Sequence, residues 1–185
     1  MPSIRPAPEP LPEPLPAPAT APVELRLMRA DDVDRVLEIL AHWGMAPVAP
    51  TAACPDPEDS GLAVGRTLVA VVGQRVIGVA SYLLIDAQRA STESLAVDPI
   101  WLGKAVGELL HRARLQALRE HGIRRVRTTA DRPSTIAWYI RRFGCRVVGS
   151  QAKRHPISLP DVAEWTVLEL DLDAWPTPAN HSDRE

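Results

Sequence analysis

Residues 95–107 read Leu95-Ala96-Val97-Asp98-Pro99-Ile100-Trp101-Leu102-Gly103-Lys104-Ala105-Val106-Gly107. The apolar residues at its start favour a strand, Asp98-Pro99 ends that strand, and a glycine-containing turn then leads into a helix. The first N–H groups of a helix have no partner inside it, and the helix dipole attracts negative charge there. The segment is therefore typical of a turn that holds a diphosphate, although two glycines four residues apart also occur in plain turns.

Strand and helix patterns continue on both sides of this segment. Before it, apolar residues predict strands at Val23–Met28, Leu68–Val72, Val76–Leu84 and Thr92–Val97, and a helix that begins at Asp31-Asp32. After it, the pattern predicts a helix over 103–121, a strand over Ile123–Thr129, a helix from Ser134 to Arg142, and strands over Arg146–Ser150 and Trp165–Leu172. Hairpin strands followed by a strand-helix-strand unit predict an α/β (α+β) fold, with a mixed, mostly antiparallel central sheet and helices on both faces.

Within the long helix, helical spacing places Leu109 and Leu110 on the inward stripe. His111 and His121 are predicted to lie on the surface of this helix. Cys145 is expected to be a buried core residue and not a nucleophile, because no partner base is placed near it by spacing.

Both ends of the chain lack the pattern of a folded element. Residues 2–22 are dominated by proline and alanine, and proline fixes φ and removes a backbone donor, so neither helix nor sheet forms there. The C-terminal residues have no periodic apolar positions. We expect a domain over residues 23–173 between disordered tails at 1–22 and 174–185.

The composition argues against several classes of protein. A net charge of −2 over 185 residues argues against a nucleic-acid surface. Two distant cysteines, and no Cys/His cluster with metal-ligand spacing, argue against a disulfide framework and a metal site. No apolar run approaches the ~20 residues that cross a bilayer, and proline stands where a signal peptide needs apolar residues. We therefore expect a cytoplasmic protein without membrane contact.

Two segments resemble the GNAT superfamily of acyl-CoA-dependent N-acyltransferases, and the order and spacing of elements agree with that family over residues 23–172. In the family, a strand that ends V-x-P leads into a loop of the pattern R/Q-x-x-G-x-G/A. Val97-Asp98-Pro99 matches the strand end, and the loop positions fall on Leu102, Ala105 and Gly107. The second segment, Thr135–Cys145, is similar to the family's helix ending Y-x-x-x-G-F.

This resemblance implies acetyl-CoA, or another acyl-CoA, as co-substrate, with no metal. In the family, the loop amides hold the CoA pyrophosphate, and the preceding strand splays from its neighbour so that the pantetheine arm pairs with its backbone. The corresponding strand positions are Leu95, Ala96 and Val97. The corresponding loop positions are Leu102, Gly103, Lys104, Ala105, Val106 and Gly107.

The resemblance also implies a tyrosine that protonates the leaving thiolate. Counting back from Gly144 places the family's tyrosine position on Ile140, and Tyr139 lies one place earlier. Tyr139 is therefore the candidate acid, with a packed aromatic ring as the equal alternative.

Three further residues are candidates on the acceptor side. Glu93 lies on the strand before the loop as a candidate general base, or else as a surface carboxylate. Simple alternation places it on the face of Leu95 and Val97. Trp43, after the first helix, and His155, after the penultimate strand, are candidate contacts for the acceptor.

Three functions are compatible with these patterns. The first is acyl transfer to the amine of a small molecule, and the second is transfer to a protein N-terminus or lysine. The third is a non-catalytic module that binds CoA or a partner, because Leu102, Ala105 and Ile140 depart from the family pattern. A homodimer is left open.

Overall fold

The computed structural model describes residues 22–47 and 62–176. Within them, the strands are β1 Glu24–Leu27, β2 Thr67–Val72, β3 Arg75–Leu84, β4 Arg89–Val97, β5 Arg125–Ala130, β6 Arg146–Ala152 and β7 Glu164–Asp171. The α-helices are α1 Val33–His42, α2 Val106–Glu120 and α3 Pro133–Phe143. The predicted tails lie outside the described residues over 1–21 and 177–185.

The strands form one seven-stranded sheet in the order β1-β2-β3-β4-β5-β7-β6. All neighbouring pairs are antiparallel except β4 and β5, which are parallel. The two-residue turn Gly73-Gln74 joins β2 to β3, and Gly73 has the positive φ of 61° that such a turn requires. The predicted mixed, mostly antiparallel sheet is confirmed.

Helices cover both faces of this sheet, as the sequence predicts. Neighbouring residues of β2 point to opposite faces, because side chains alternate along a strand. Val69 of β2 packs with the apolar face of α1, whereas Ala70 packs with Val106 and Leu110 of α2. Helices α2 and α3 share a further apolar cluster with β5 and β7, so both lie on the face opposite α1.

The parallel pairing of β4 with β5 ends before either strand does. Arg89–Thr92 pair with Arg125–Thr128, and the described residues show no pairing between these strands beyond that point. Strand β4 nevertheless continues to Val97, and β5 continues to Ala130 while it pairs with β7. An opening therefore remains between residues 93–97 of β4 and 129–130 of β5, which we name the slot.

A β-bulge in β4 overturns one prediction from simple alternation. Tyr82 of β3 pairs with Thr92, and Ala80 pairs with Leu95, so two residues of β4 stand where one residue of β3 does. Thr92 and Leu95 therefore face α2, while Glu93, next to Thr92, faces the side of α1. The predicted common face of Glu93 with Leu95 is wrong, because the extra residue reverses the alternation.

Helix α2 also differs from its predicted limits and stripe. It begins at Val106, not at residue 103, because Gly103 and Ala105 adopt positive φ values of 74° and 58°. His111, predicted on the surface, is only 1% exposed, whereas Leu109, predicted inward, is 41% exposed. His121 is exposed as predicted.

Two other predictions can be compared with the structure. Cys145 is buried, as predicted. Strand β5 begins at Arg125, not at Ile123, because the Ile123 amide bonds to the Leu118 carbonyl and completes the end of α2.

Candidate active site

A cleft of about 610 Å³ opens at the slot. Its floor and sides are formed by the unpaired part of β4, the end of β5 and the first turns of α3. The end of α1 and the loop between β6 and β7 form the remaining wall. The cleft thus joins the two faces of the sheet at the one place where neighbouring strands of the described sheet part.

The α2 entry turn, which we define as residues 102–107, borders one end of this cleft through Leu102 and Gly107. Within the turn, the amides of Leu102 and Lys104 bond to the carbonyls of Pro99 and Trp101. The first amides of α2, at Val106 and Gly107, have no intrahelical acceptor. Free amides and the positive end of the helix dipole favour an anion at such a place, and the anion site at this turn stays a prediction from the sequence.

The entry turn contains strain that can be measured. Alanine in the left-handed region costs roughly 1–2 kcal/mol, and glycine avoids most of that cost. Glycine also adds freedom to the unfolded chain, which offsets about 0.4–1 kcal/mol. We expect Ala105→Gly to raise the melting temperature by about 1–2 °C in a thermal-denaturation measurement, without loss of CoA affinity.

Gly103→Ala is the matched comparison for this substitution. A Cβ at Gly103 has no atom within 4 Å, so only its φ of 74° opposes the change. We expect a decrease of about 1–2 °C, because the same two terms act with opposite sign. A decrease for Ala105→Gly as well would show that the turn is not strained as described.

The end of β4 is held in place by side chains from other elements. The Asp98 carboxylate pairs with Arg35 and, at 3.0 Å, with Arg75, and it accepts a hydrogen bond from the Ile100 amide at 3.2 Å. These contacts fix the direction in which the chain leaves the strand and enters the turn.

Trp43 lines the cleft and bonds to the edge of the slot. Its indole Nε1 donates to the Val97 carbonyl at 2.8 Å. The next amide, at Asp98, points the other way and bonds to Ile77 of β3 at 2.8 Å. Because backbone groups alternate in direction along a strand, the amide and carbonyl of Leu95 face the slot, as do those of Val97.

Glu93 lies in the cleft near the closed end of the slot. Its neighbour Thr92 is 2% exposed, and the Thr92 hydroxyl has no hydrogen-bond partner among the described residues. Ser91, two positions from Glu93 on the same face, pairs with Arg127 of β5, which also borders the cleft. The closed end of the slot therefore combines a carboxylate, an unpaired hydroxyl and a guanidinium.

Tyr139 of α3, and not Ile140, borders the cleft. The Tyr139 ring is 3% exposed, whereas Ile140 is 41% exposed. Burial lowers the pKa of Arg114 in α2 and the Tyr139 side chain raises it, so the Tyr139 hydroxyl lies close to this guanidinium. The structure thus brings the two predicted acid–base residues, Glu93 and Tyr139, into one cleft.

The structure does not place His155 in this cleft. His155 is 6% exposed and is not part of the cleft lining, whereas Trp43 is. The wall near it is formed instead by Ile157 and Ser158 of the same loop.

That wall is fixed by a buried ion pair. Lys153 Nζ lies 2.6 Å from the Asp131 carboxylate, and both side chains are nearly fully buried. Burial alone would raise the pKa of Asp131, but hydrogen bonds from Lys153, the Leu159 amide and Ser158 hold it below its ordinary value. The Ser158 amide also donates to the Gly44 carbonyl at 2.9 Å, so the loop is tied to the end of α1.

No group of three or more His, Cys, Asp or Glu side chains among the described residues could hold a metal ion. None of the described helices is both long enough and apolar enough to cross a membrane.

Comparisons with known proteins agree with this geometry. Residues 36–145 match the model of the acetyltransferase (GNAT) family. A search of curated protein sequences gives no significant match.

Solved structures share the fold at low sequence identity. The IAA acetyltransferase from Bacillus cereus ATCC 14579 is 17% identical, with a TM-score of 0.62 over 81% of this chain and 99% of its own. The protein yncA from Salmonella typhimurium, solved with its cofactor acetyl-CoA, is 18% identical, with a TM-score of 0.62 over 85% and 98%. The ribosomal-protein-S18-alanine N-acetyltransferase from Escherichia coli is 14% identical, with a TM-score of 0.60 over 85% and 97%.

Proposed function

The chain belongs to the GNAT acetyltransferase family, and from that premise we propose that it acetylates the amine of a small molecule. The family model matches more than half of this chain. Membership of the family makes it an acyl-CoA-dependent acetyltransferase. The nature of the acceptor and the roles of individual residues are the proposal.

The residues around the slot fit the parts of acetyl-CoA. The free amides of Val106 and Gly107 suit its diphosphate, and the slot edge of Leu95 and Val97 suits the amide groups of its pantetheine arm. Bound acetyl-CoA supplies a thioester that a neutral amine attacks. The Thr92 hydroxyl, buried without a partner among the described residues, is a suitable donor at the closed end of the slot.

Glu93 and Tyr139 divide the proton transfers between them. An amine arrives largely as its ammonium form near neutral pH, so the Glu93 carboxylate accepts a proton from it, directly or through a water. The Tyr139 hydroxyl donates its proton to the departing sulfur, so that free thiol is released, and the second proton that the nitrogen loses as the amide forms restores the phenol through water. Both residues border the same cleft, which is what the two transfers require.

The single observation that favours a small acceptor is that, among the described residues, the end of α1 and the β6–β7 loop close the wall of the cleft between them. The hydrogen bond from Ser158 to Gly44 joins the β6–β7 loop to the end of α1, and the pair Asp131–Lys153 holds that loop from behind. An extended peptide needs an open groove at this wall, whereas a small amine does not. A protein acceptor remains the alternative, because the S18-alanine acetyltransferase has the same fold.

Acceptor preference can be measured directly. Thiol release from acetyl-CoA is followed with a panel of small primary amines and amino acids, and in parallel with tetrapeptides that offer a free N-terminus or a lysine. We expect kcat/KM for the best small amine to exceed that for the best peptide by at least about tenfold, a difference of roughly 1.4 kcal/mol. A higher value for the best peptide would favour the protein acceptor.

Three further properties stay predictions from the sequence. They are the domain limits at residues 23 and 173, the cytoplasmic location and the oligomeric state.

A further inference from the structure

Arg114 is a fully buried cation immediately behind the cleft. Its side chain is 0% exposed in the middle of α2. One guanidinium nitrogen donates to the Ser81 carbonyl of β3 at 2.9 Å and to the Ser94 carbonyl of β4 at 3.2 Å, so it joins the two strands at the β4 bulge. The other lies 2.7 Å from Nδ1 of His111; burial lowers the pKa of Arg114, and the nearby Tyr139 hydroxyl raises it.

The three hydrogen-bond partners of this guanidinium, two carbonyls and an imidazole, are electrically neutral. Arg114 Nε has no hydrogen-bond partner among the described residues, and no salt bridge joins Arg114 to a carboxylate there, although the charge of Glu93 is near enough to raise the pKa of Arg114. Burying a guanidinium without a counterion is costly, and an apolar side chain would fill the same space without that cost. Burial lowers the pKa of Arg114 in spite of Glu93, so this positive charge is suited to further negative charge that forms during the reaction.

The contact between Arg114 and Tyr139 determines where the hydroxyl proton of Tyr139 points. A guanidinium can only donate hydrogen bonds, so the phenol oxygen accepts from Arg114. The phenol proton is then left for another acceptor, and the ring borders the cleft. When that proton moves to a departing sulfur, the phenolate oxygen is left beside the guanidinium, whose charge stabilises it.

His111 holds the guanidinium in this orientation. Burial, followed by the nearby charges of Arg114 and Arg112, lowers the pKa of His111 well below its ordinary value, so the ring stays neutral. Nδ1 then accepts from Arg114, and the ring packs edge-on against Tyr139 at 5.1 Å between centroids. The three side chains form one buried unit in which each fixes the next.

We propose that Arg114 is a positioning residue for acyl transfer, which orients Tyr139 toward the cleft and stabilises the oxygen that gives up its proton. The inference rests on the proposed role of Tyr139 as general acid. It adds a residue of α2 that touches neither the acceptor nor acetyl-CoA in this scheme.

A double-mutant cycle tests the proposal on the full chain. The variants are Arg114→Lys, Tyr139→Phe and the combination of both, and kcat is measured with acetyl-CoA and the best amine at saturation. We expect Tyr139→Phe to lower kcat at least about tenfold and Arg114→Lys about tenfold. The double variant is expected to match Tyr139→Phe alone within about twofold, because Arg114 acts through the hydroxyl that has been removed.

Two controls separate this role from a structural one. KM for acetyl-CoA should change less than about threefold in Arg114→Lys, because the lysine keeps the charge and most of the volume. Arg112→Lys, at an exposed position one place beyond His111, should leave kcat unchanged. Arg114→Gln removes the positive charge, so its kcat should be lower than that of Arg114→Lys. This difference in kcat is a second readout of the role of the charge.

Each result has a defined meaning. If Arg114→Lys lowers kcat by the same factor in the wild-type chain and in the Tyr139→Phe variant, the inference is overturned and Arg114 is a structural residue. Wild-type kcat in Tyr139→Phe would overturn both the inference and the role of Tyr139. Absence of CoA binding to the wild-type chain would instead contradict the proposed function itself.

Discussion

Replacing Gly107 with glutamate is expected to weaken CoA binding at least about a hundredfold while the fold is retained. A Cβ at Gly107 would meet only Val97 Cγ2, at the ordinary contact distance of 3.6 Å, so the side chain can be accommodated. A carboxylate in the first turn of α2 is also favourable to the helix dipole. The same charge about 4 Å from a diphosphate is repelled by about 4 kcal/mol at an effective dielectric constant of 20.

Isothermal titration with CoA measures this effect, with thermal denaturation as the check on folding. Gly107→Ala is the matched control, because it adds the Cβ without the charge. We expect the alanine variant to bind within about threefold of the wild-type chain. If Gly107→Glu binds CoA as tightly as Gly107→Ala, the diphosphate does not lie at the entry turn.

Replacing Glu93 with glutamine is expected to lower kcat/KM about a hundredfold at pH 7. Glutamine keeps the shape of the side chain but cannot accept the proton of the ammonium group. The deficit should shrink as the pH rises toward the pKa of the acceptor amine, because a growing fraction of the amine then arrives without that proton. The ratio of wild-type to variant rates is therefore highest at neutral pH and declines in alkaline buffer.

The control for this change is Glu169→Gln. Glu169 lies on β7 outside the cleft lining, where it pairs with Arg125 at 3.0 Å, so its loss should leave the rate and its pH dependence unchanged. A Glu93→Gln deficit that stays constant across the pH range would show that Glu93 supports the structure and does not remove the proton.

The entry turn and the order of the elements could be predicted from the sequence because both depend on local signals. Gly103 and Gly107 mark a turn at a strand-helix junction whatever the rest of the chain does. Tyr139 could also be predicted as a candidate acid from the sequence, because it lies one place before Ile140, the family's tyrosine position, in the same helix. The family match confirms the fold that these signals predict.

The face of Glu93 could not be predicted, because it depends on the register between β3 and β4. The bulge is visible only when Ala80 is seen to pair with Leu95 and Tyr82 with Thr92. No residue type in that part of β4 marks the extra position.

The buried pair His111 and Arg114 was missed for a different reason. Apolar residues at helical spacing take no account of polar side chains, so the pattern predicts Leu109 on the inward stripe, where the structure has the buried Arg114. The one available signal was the spacing of His111 and Arg114, which are three residues apart beside Leu110 and Leu115 and therefore share a helix face with core residues.

Amide hydrogen exchange, followed by NMR with and without CoA, tests most directly whether the slot and the entry turn together hold the co-substrate. The expected result is slower exchange, by about tenfold or more, at the amides of Leu95, Val106 and Gly107 when CoA is present. Unchanged exchange at these three amides in the presence of saturating CoA would contradict the assignment of the binding site.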